Sequence, residues 1–291
     1  QTQLALVALQ QGKNEEAVAS ARKVLVFGGR PNPQAINIAL DAFRKEKKYA
    51  DAVALLEPLV NSYASDPYVN ARYIEMLIRK GDKQKAHEAA STQAKFGPRN
   101  TIAAAEAFIQ AQDYPPALVL LNEAVKSKPD DMDIRFELGS AYERAGDRTS
   151  AERTFQQLLE KNPEHAPTLN YLGYMWAEGG VNLDRAAEML NRAVTQEPAN
   201  GAYIDSLGWA YFRQGKLDLA EKLLTDATRL LPRDPTVHQH LGDVLAKRGQ
   251  YVRALNVYRT ALKLDPEAKD ESSLRSKIAQ LEKQSSETSP R

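Results

Sequence analysis

The fold is decided by the segment Gly201-Ala-Tyr-Ile-Asp-Ser-Leu-Gly-Trp-Ala-Tyr-Phe-Arg-Gln-Gly-Lys216, which continues through Leu217-Asp-Leu-Ala220 to Pro232. Its Leu-Gly pair has counterparts in the same register at Leu138-Gly139, Leu172-Gly173 and Leu241-Gly242. Prolines recur at Pro129, Pro163, Pro198, Pro232 and Pro266, and alanines at Ala151, Ala186, Ala220 and Ala254. This constant period of 34 or 35 residues indicates repeated copies of one small structural unit.

Each recurring residue has a physical role in a pair of packed helices. Glycine at the eighth position of the unit and alanine at the twentieth let two helices approach closely, since a larger side chain would force them apart. A second set of glycines lies where the first helix must end and suits a left-handed cap: Gly146, Gly180, Gly215 and Gly249. The prolines stop the second helix. We therefore predict a helix–turn–helix unit, with a helix A followed by a helix B.

These residues resemble the tetratricopeptide repeat, a helix–turn–helix unit of about 34 residues. The resemblance covers residues 1–284 and is strongest over 132–268. It implies an all-α fold, a right-handed superhelical solenoid of about eight repeats with a C-terminal capping helix. The predicted boundaries are a truncated first repeat at 1–32, divergent repeats over 33–131 (33–66, 67–97 and 98–131), consensus-like repeats over 132–268 (132–165, 166–200, 201–234 and 235–268), a capping helix at 269–284 and a flexible tail at 285–291.

Two repeats depart from the pattern. The third is about three residues short and has Gln93 where the pattern has alanine, which predicts either a locally altered superhelix or a clipped helix B. The sixth has one extra residue around 179–183. That residue predicts a longer hairpin turn, with a partner-contacting loop as the alternative.

Composition and motifs argue against several classes of function. The formal net charge of +1 gives no long-range attraction to nucleic acid, and the absence of cysteine excludes disulfides and thiolate metal sites. No apolar run approaches the ~18 residues that span a bilayer, and no phosphate loop, metalloprotease, nucleophile-elbow or EF-hand motif occurs. His238 and His240 are two residues apart on one helix, so they cannot share a metal. We predict no enzymatic activity, metal, cofactor, nucleic-acid partner or membrane span.

Function is therefore expected on the concave surface, which the resemblance assigns to helix A of each repeat. Positions 2, 5, 9 and 12 of helix A form one stripe at spacings of three and four residues, and position 13 adds to it. The predicted partner-binding residues on this stripe are Phe136, Ser140, Asn170, Tyr174, Asp205, Trp209, Phe212, Arg213, Gln239, Asp243 and Lys247. We interpret the exposed aromatic residues Tyr174, Trp209 and Phe212 as a peptide hot spot. The alternative is that neighbouring helices cover them.

The resemblance implies a protein-interaction scaffold that holds a peptide or helix of a protein partner in this groove. A clamp for acidic chaperone tails is not expected, because no repeat has Lys at position 5 followed by Asn at position 9. Two alternatives stay open: the repeats belong to a larger enzyme such as a glycosyltransferase, or the chain self-associates as a homo-oligomer. The later repeats, with Asn170-Tyr-Leu-Gly-Tyr-Met-Trp176, resemble those of long bacterial proteins. That likeness favours a periplasmic or envelope-associated location over the cytoplasm.

Overall fold

The structure is a computed structural model that describes residues 1–264 and 268–288. Within these residues the chain forms seventeen α-helices and one two-stranded hairpin. The helices are α1 (Thr2–Gln10), α2 (Asn14–Arg22), α3 (Pro33–Lys45), α4 (Tyr49–Ser62), α5 (Pro67–Lys80), α6 (Lys83–Ala94), α7 (Pro98–Gln110), α8 (Tyr114–Ser127), α9 (Met132–Arg144), α10 (Arg148–Lys161), α11 (Ala166–Gly179), α12 (Leu183–Gln196), α13 (Gly201–Arg213), α14 (Leu217–Leu230), α15 (Pro235–Lys247), α16 (Tyr251–Lys263) and α17 (Ala268–Thr288). The predicted all-α repeat fold is confirmed.

The chain divides into two compact units, which are described separately: unit 1 is residues 1–155 and unit 2 is residues 156–291. Within each unit a helix packs against the next along the chain, as α7 does on α8 and α13 on α14. Helices A of successive repeats also touch, as α5 does on α7 and α11 on α13. Each unit therefore buries its apolar side chains between stacked helical hairpins.

The small residues allow the close packing that their spacing predicts. A Cβ atom on Gly208 would lie 2.8 Å from Cγ of Leu224, and one on Gly173 would lie 2.7 Å from Cγ of Leu190. Ala220, at the twentieth position, is fully buried. Helices A and B of one repeat therefore touch at points where only glycine and alanine fit.

The third repeat has a clipped helix B. Helix α6 is 12 residues long, whereas α4 and α8 each have 14. Gln93, which replaces the usual alanine, is buried, donates from Nε2 to the carbonyl of Ala64 at 2.9 Å and accepts from Asn100 Nδ2 at 2.9 Å. Two hydrogen bonds thus compensate the burial of this amide.

A β-hairpin joins α2 to α3, which the sequence pattern did not predict. Strand β1 (Val26–Phe27) pairs antiparallel with β2 (Arg30–Pro31). Gly28 and Gly29, with φ of 59° and 74°, form the two-residue turn. A turn with positive φ at both central residues strongly favours Gly-Gly. The signal was therefore present in the sequence, but the helical period of the neighbouring segments obscured it.

The capping helix is present as α17, with Leu274 and Leu281 buried and Ile278 partly buried against the core of unit 2. It continues to Thr288, four residues into the segment predicted as a flexible tail, because neither glycine nor proline interrupts the sequence between 268 and 288. The remaining tail, 289–291, and the repeat proline Pro266 lie outside the described residues. No helix in the described parts of the chain has the length and apolar character that a bilayer crossing requires.

Candidate partner-binding site

Most of the predicted groove residues of unit 2 meet in one cluster on helices α11, α13 and α15. We call it the Trp209 cluster, and its members are Tyr174, Glu178, Asp205, Trp209, Phe212, Arg213 and His240. Trp209 is the central side chain. Its indole stacks with the imidazole of His240 at a centroid distance of 4.2 Å and with the ring of Phe212 at 4.9 Å. Its Nε1 donates to Oε2 of Glu178 at 2.8 Å.

These contacts bury Trp209, so the prediction of an exposed tryptophan hot spot is wrong. Only 9% of Trp209 is exposed. The ring of His240, on the neighbouring helix A, and the ring of Phe212 cover the indole. Phe212 and Tyr174 are themselves half-buried. The alternative interpretation, that a neighbouring helix covers the aromatic residues, therefore holds for Trp209 but only in part for the other two.

His240 and Asp205 form a buried pair beneath the aromatic rings. Nδ1 of His240 lies 3.0 Å from both carboxylate oxygens of Asp205, and the two residues are 5% and 7% exposed. Burial by itself lowers the pKa of His240, but the charge and hydrogen bond of Asp205, with smaller effects of Asp243 and Glu178, raise the pKa above 6.5. The predicted exposure of Asp205 is thus wrong, since this carboxylate is bound within the protein.

Sequence reasoning missed His240 because it considered histidines only as pairs that could share a metal. His240 follows Asp205 by 35 residues, one repeat length, so the two side chains come from adjacent helices A. A search for complementary residues one repeat apart would have found the pair. Among the described residues, no group of three or more His, Asp or Glu side chains is arranged to hold a metal ion.

Arg213 binds the end of α11, next to the hairpin turn that contains the extra residue of the sixth repeat. Its Nη1 donates to the carbonyl of Glu178 at 2.7 Å, and its guanidinium carbon lies 6.0 Å from the centroid of the Trp209 ring. A Cβ atom on Gly180, which has a φ of 70°, would lie 2.8 Å from Nη2 of Arg213. Arg213 is half-buried, and its role in the structure is to connect α13 to the end of α11.

The other predicted residues of unit 2 differ in accessibility. Asp243 is bound internally, since it accepts from the hydroxyl of Tyr258 at 2.5 Å and from Nζ of Lys277 at 2.7 Å. Gln239 is half-buried and Lys247 is exposed. Asn170 is half-buried, and its Oδ1 is shielded from solvent without a hydrogen-bond donor among the described residues. Arg213 and Asp243 are half-buried too, but their charged groups are bound within unit 2. The other accessible residues of the predicted set in unit 2 are Asn170, Tyr174, Phe212, Gln239 and Lys247.

The two predicted residues of unit 1 do not form a comparable surface. Phe136 is half-buried, with its ring 5.8 Å from that of Phe155, and Ser140 is only 6% exposed. The prediction that Ser140 is open to a partner is wrong. The small residue at this position of α9 is enclosed by the packed helices.

Helix A of unit 1 instead carries a charged cluster around Glu75, which is 2% exposed. Arg44 donates from Nη2 to Oε1 and Oε2 of Glu75 at 3.1 and 2.9 Å, Arg72 donates at 2.9 Å and Arg79 at 2.8 Å. Arg44 also binds Asp41 at 2.6 Å. Burial by itself raises the pKa of Glu75, but the surrounding arginines outweigh it and hold the pKa below 4.5. We call this group the Glu75 cluster.

Comparisons with known proteins agree with this architecture. Two family models described as tetratricopeptide repeat match residues 206–269 and 108–172. The TPR repeat-containing protein PA4667 of Pseudomonas aeruginosa is 29% identical over 176 residues, which are 59% of this chain and 30% of that protein. Human tetratricopeptide repeat protein 7A is 36% identical over 105 residues, which are 34% of this chain and 12% of that protein. The chain thus spans less than a third of the length of either relative.

A solved structure gives the same result for the fold. The thermophilic TPR protein TTC0263 of Thermus thermophilus superimposes with a TM-score of 0.54 at 22% identity, over 63% of this chain and 97% of that one. The family models thus identify residues 108–172 and 206–269 as tetratricopeptide repeats, and the solved structure agrees with them in fold.

Proposed function

We propose that unit 2 binds an extended peptide or a helix of a partner protein on the surface formed by α11, α13 and α15. Repeats of this family generally serve in protein–protein interaction, and stacked repeats expose extended surfaces suited to that use. The observation that carries the proposal is the fixed position of Trp209. Stacking on two rings and the hydrogen bond to Glu178 hold the indole before any partner arrives.

A rigid support of this kind favours binding because little conformational entropy is lost when the partner docks. Phe212 rests directly on Trp209, and the ring of Tyr174 lies 6.4 Å from that of His240. Both rings are half-buried, so part of each ring is accessible to an apolar partner side chain. Aromatic residues held in this way are typical of interaction hot spots.

Polar groups beside the two rings supply the remaining contacts. Gln239 carries an amide that can both donate to and accept from a partner backbone, whereas the Oδ1 atom of Asn170 is shielded from solvent and is not available as an acceptor. Lys247 is exposed at the end of α15 and would favour an acidic residue near one end of the partner segment. Asp205, Trp209 and Arg213 act as supports beneath this surface, and Asp243 is already neutralised by Lys277.

Site-specific photo-cross-linking tests the proposal. A photoreactive amino acid placed at Phe212 should cross-link a partner segment in a lysate of the source cells, and mass spectrometry then identifies that segment. The matched control carries the same group at Val252 on α16, which is 71% exposed and belongs to a helix B. A synthetic copy of the captured segment should bind the parent and lose about tenfold in affinity with Tyr174→Ala, as expected for a hot-spot side chain.

Two results would contradict the proposal. Equal cross-linking from positions 212 and 252 would mean that helix A offers no specific site. Cross-links that join two copies of this chain would assign the surface to self-association instead.

A further inference from the structure

A second candidate surface lies on the helix B side of unit 1, remote in sequence from the Trp209 cluster. Two cavities of about 450 and 250 Å³ lie between α6 and α8. Leu120 and Glu123 line both cavities, so the two form one groove along α8. We call it the α6–α8 groove. The larger cavity falls within the ~300–1,000 Å³ range of ligand pockets in proteins.

The clipped third repeat explains why the groove exists. Helix α6 ends at Ala94 and is two residues shorter than α4 and α8. The smaller cavity lies at that end of α6, against Ala94 and Gly97. Helix α6 contributes to the larger cavity the small side chains of Ala90 and Ser91 and the ring of His87, which lies 5.3 Å from the ring of Phe108. The space that a longer and bulkier helix B would occupy is therefore open.

The walls of the groove are mainly apolar, and two prolines stiffen one of them. Phe108 is 1% exposed and forms the floor, Pro115 and Pro116 begin α8, and Val119 is 56% exposed at the edge. Proline has little conformational freedom to lose on binding. An apolar partner side chain would therefore gain contact here without a large ordering cost.

One unpaired carboxylate lies in the middle of this mainly apolar surface, and the cation Lys128 lines only the smaller cavity. Glu123 is exposed and forms neither a hydrogen bond nor an ion pair with any described residue. Because the same carboxylate borders both cavities, a partner that fills the groove must pass beside it. Charge complementarity then calls for a cation at the centre of the partner segment.

Length and shape favour a helical partner. The part of α8 that lines the groove runs from Pro115 to Ser127, about 18 Å at the rise of an α-helix. That is slightly more than three helical turns, and two neighbouring helices with a gap between them accept a third helix in their shared groove. We propose that the α6–α8 groove binds an amphipathic helix of a partner protein, with a lysine or arginine beside its apolar face that pairs with Glu123.

The test uses the full chain and a stapled, fluorescein-labelled amphipathic peptide of about four helical turns. Leucines line one face of this probe and one lysine lies at its centre. A matched probe has glutamate in place of the lysine. Fluorescence anisotropy measures binding to the parent, Val119→Asp, Glu123→Lys and the control Val252→Asp, which changes a still more exposed valine on α16 of unit 2. Circular dichroism confirms that each variant is folded.

The lysine probe should bind the parent and Val252→Asp equally, and Val119→Asp should weaken binding at least about tenfold. Glu123→Lys should reverse the preference between the two probes, by roughly two- to fivefold for an exposed ion pair. Tyr174→Ala should leave probe binding unchanged, which separates this groove from the surface proposed above.

Three outcomes would overturn the proposal: neither probe binds the parent, Val119→Asp binds as well as the parent, or Glu123→Lys leaves the preference unchanged. Light scattering adds one more criterion. If the parent dimerises and Val119→Asp does not, the occupant is a second copy of the chain and the partner-helix proposal is wrong.

Discussion

The Glu75 cluster of unit 1 and the Trp209 cluster of unit 2 occupy the same positions of their repeats. Position 9 is Glu75 on α5 and Trp209 on α13, and position 13 is Arg79 on α5 and Arg213 on α13. In unit 1 the arginine donates to the carboxylate at 2.8 Å, whereas in unit 2 the guanidinium lies 6.0 Å from the indole centroid. The scaffold therefore accepts either an ion pair or a cation–π contact at one site of the repeat.

The comparison shows that a stripe position does not determine exposure. Glu75 and Trp209 both lie on the stripe that the repeat pattern assigns to the groove, yet both are buried. Each is covered by side chains from an adjacent helix A: Arg44 of α3 over Glu75, and His240 of α15 over Trp209. The size and chemistry of the neighbour one repeat away thus decide whether a groove residue meets solvent.

The largest loss of stability is expected when the indole of Trp209 is removed. Trp209→Ala should lower the free energy of unfolding of unit 2 by about 4 kcal/mol, since a large buried aromatic side chain is lost and a cavity remains. Trp209→Phe keeps a ring for stacking and loses only the hydrogen bond to Glu178, so it should cost about half as much or less. Urea denaturation followed by circular dichroism measures both. Stability within about 1 kcal/mol of the parent for the alanine variant would mean that Trp209 is a surface residue after all.

A substitution in the Glu75 cluster should lower the free energy of unfolding somewhat less than Trp209→Ala does. Glu75→Gln leaves Arg44, Arg72 and Arg79 without their shared carboxylate and should cost about 3 kcal/mol, as expected when one partner of a buried ion pair is removed. Asp41→Asn is the matched control, because Asp41 also binds Arg44 but is 49% exposed at its side chain. It should cost less than about 1 kcal/mol. Equal losses for the two variants would show that the burial of Glu75 adds nothing.

Opposite pH dependences should distinguish the two clusters. The pKa of Glu75 is held below 4.5 in the folded state, so its contribution to stability is present above the unfolded pKa and is lost as pH falls through the folded pKa. The pKa of His240 is raised above 6.5, so its contribution is full below the unfolded pKa and is lost as pH rises through the folded pKa.

Variants that cannot titrate provide the measurement for this contrast. The stability difference between parent and Glu75→Gln should shrink in acid, below the unfolded pKa of Glu75. The difference between parent and His240→Gln should shrink above pH 6.5, the ordinary value for histidine. Denaturation midpoints across the pH range provide both curves. The same trend in both would refute the assignment of opposite charge states to the two buried groups.

The sequence predicts the fold well because the repeat fixes its own geometry. In the repeats over 132–268 the glycine at position 8 tolerates no larger side chain, as Gly208 against Leu224 shows, so the spacing of glycine and alanine predicts these helical pairs. The hairpin at Gly28–Gly29 was not predicted, because it interrupts the repeat of about 34 residues. Two glycines are a weak indication of a turn beside a regular helical pattern.

The candidate site was predicted only in part. The sequence brought Tyr174, Asp205, Trp209, Phe212 and Arg213 to one surface, and the structure places all five in the Trp209 cluster. It did not predict which of them are accessible, because His240 lies off the predicted stripe and yet covers Trp209. The sequence did not predict a role for Glu123 either, because the candidate residues were taken only from helices A and Glu123 lies on a helix B. Which of these residues contact a partner remains a prediction for the cross-linking experiment.

The smallest effect concerns the contact between Arg213 and the turn of the sixth repeat. Gly180 and Gly215 have similar φ angles of 70° and 77°, but an added Cβ meets Arg213 only at Gly180 and finds no atom within 4 Å at Gly215. Gly215→Ala should therefore cost about 1 kcal/mol from backbone strain alone. Gly180→Ala should cost up to about 1 kcal/mol more, because Arg213 must move and weaken its hydrogen bond to Glu178. In an Arg213→Ala background, Gly180→Ala and Gly215→Ala should lower the free energy of unfolding by equal amounts, because only backbone strain is left. Urea denaturation measures both losses. A persistent difference there would show that Arg213 does not hold the turn, and the position-13 arginines of the two clusters would then differ in role as well as in partner.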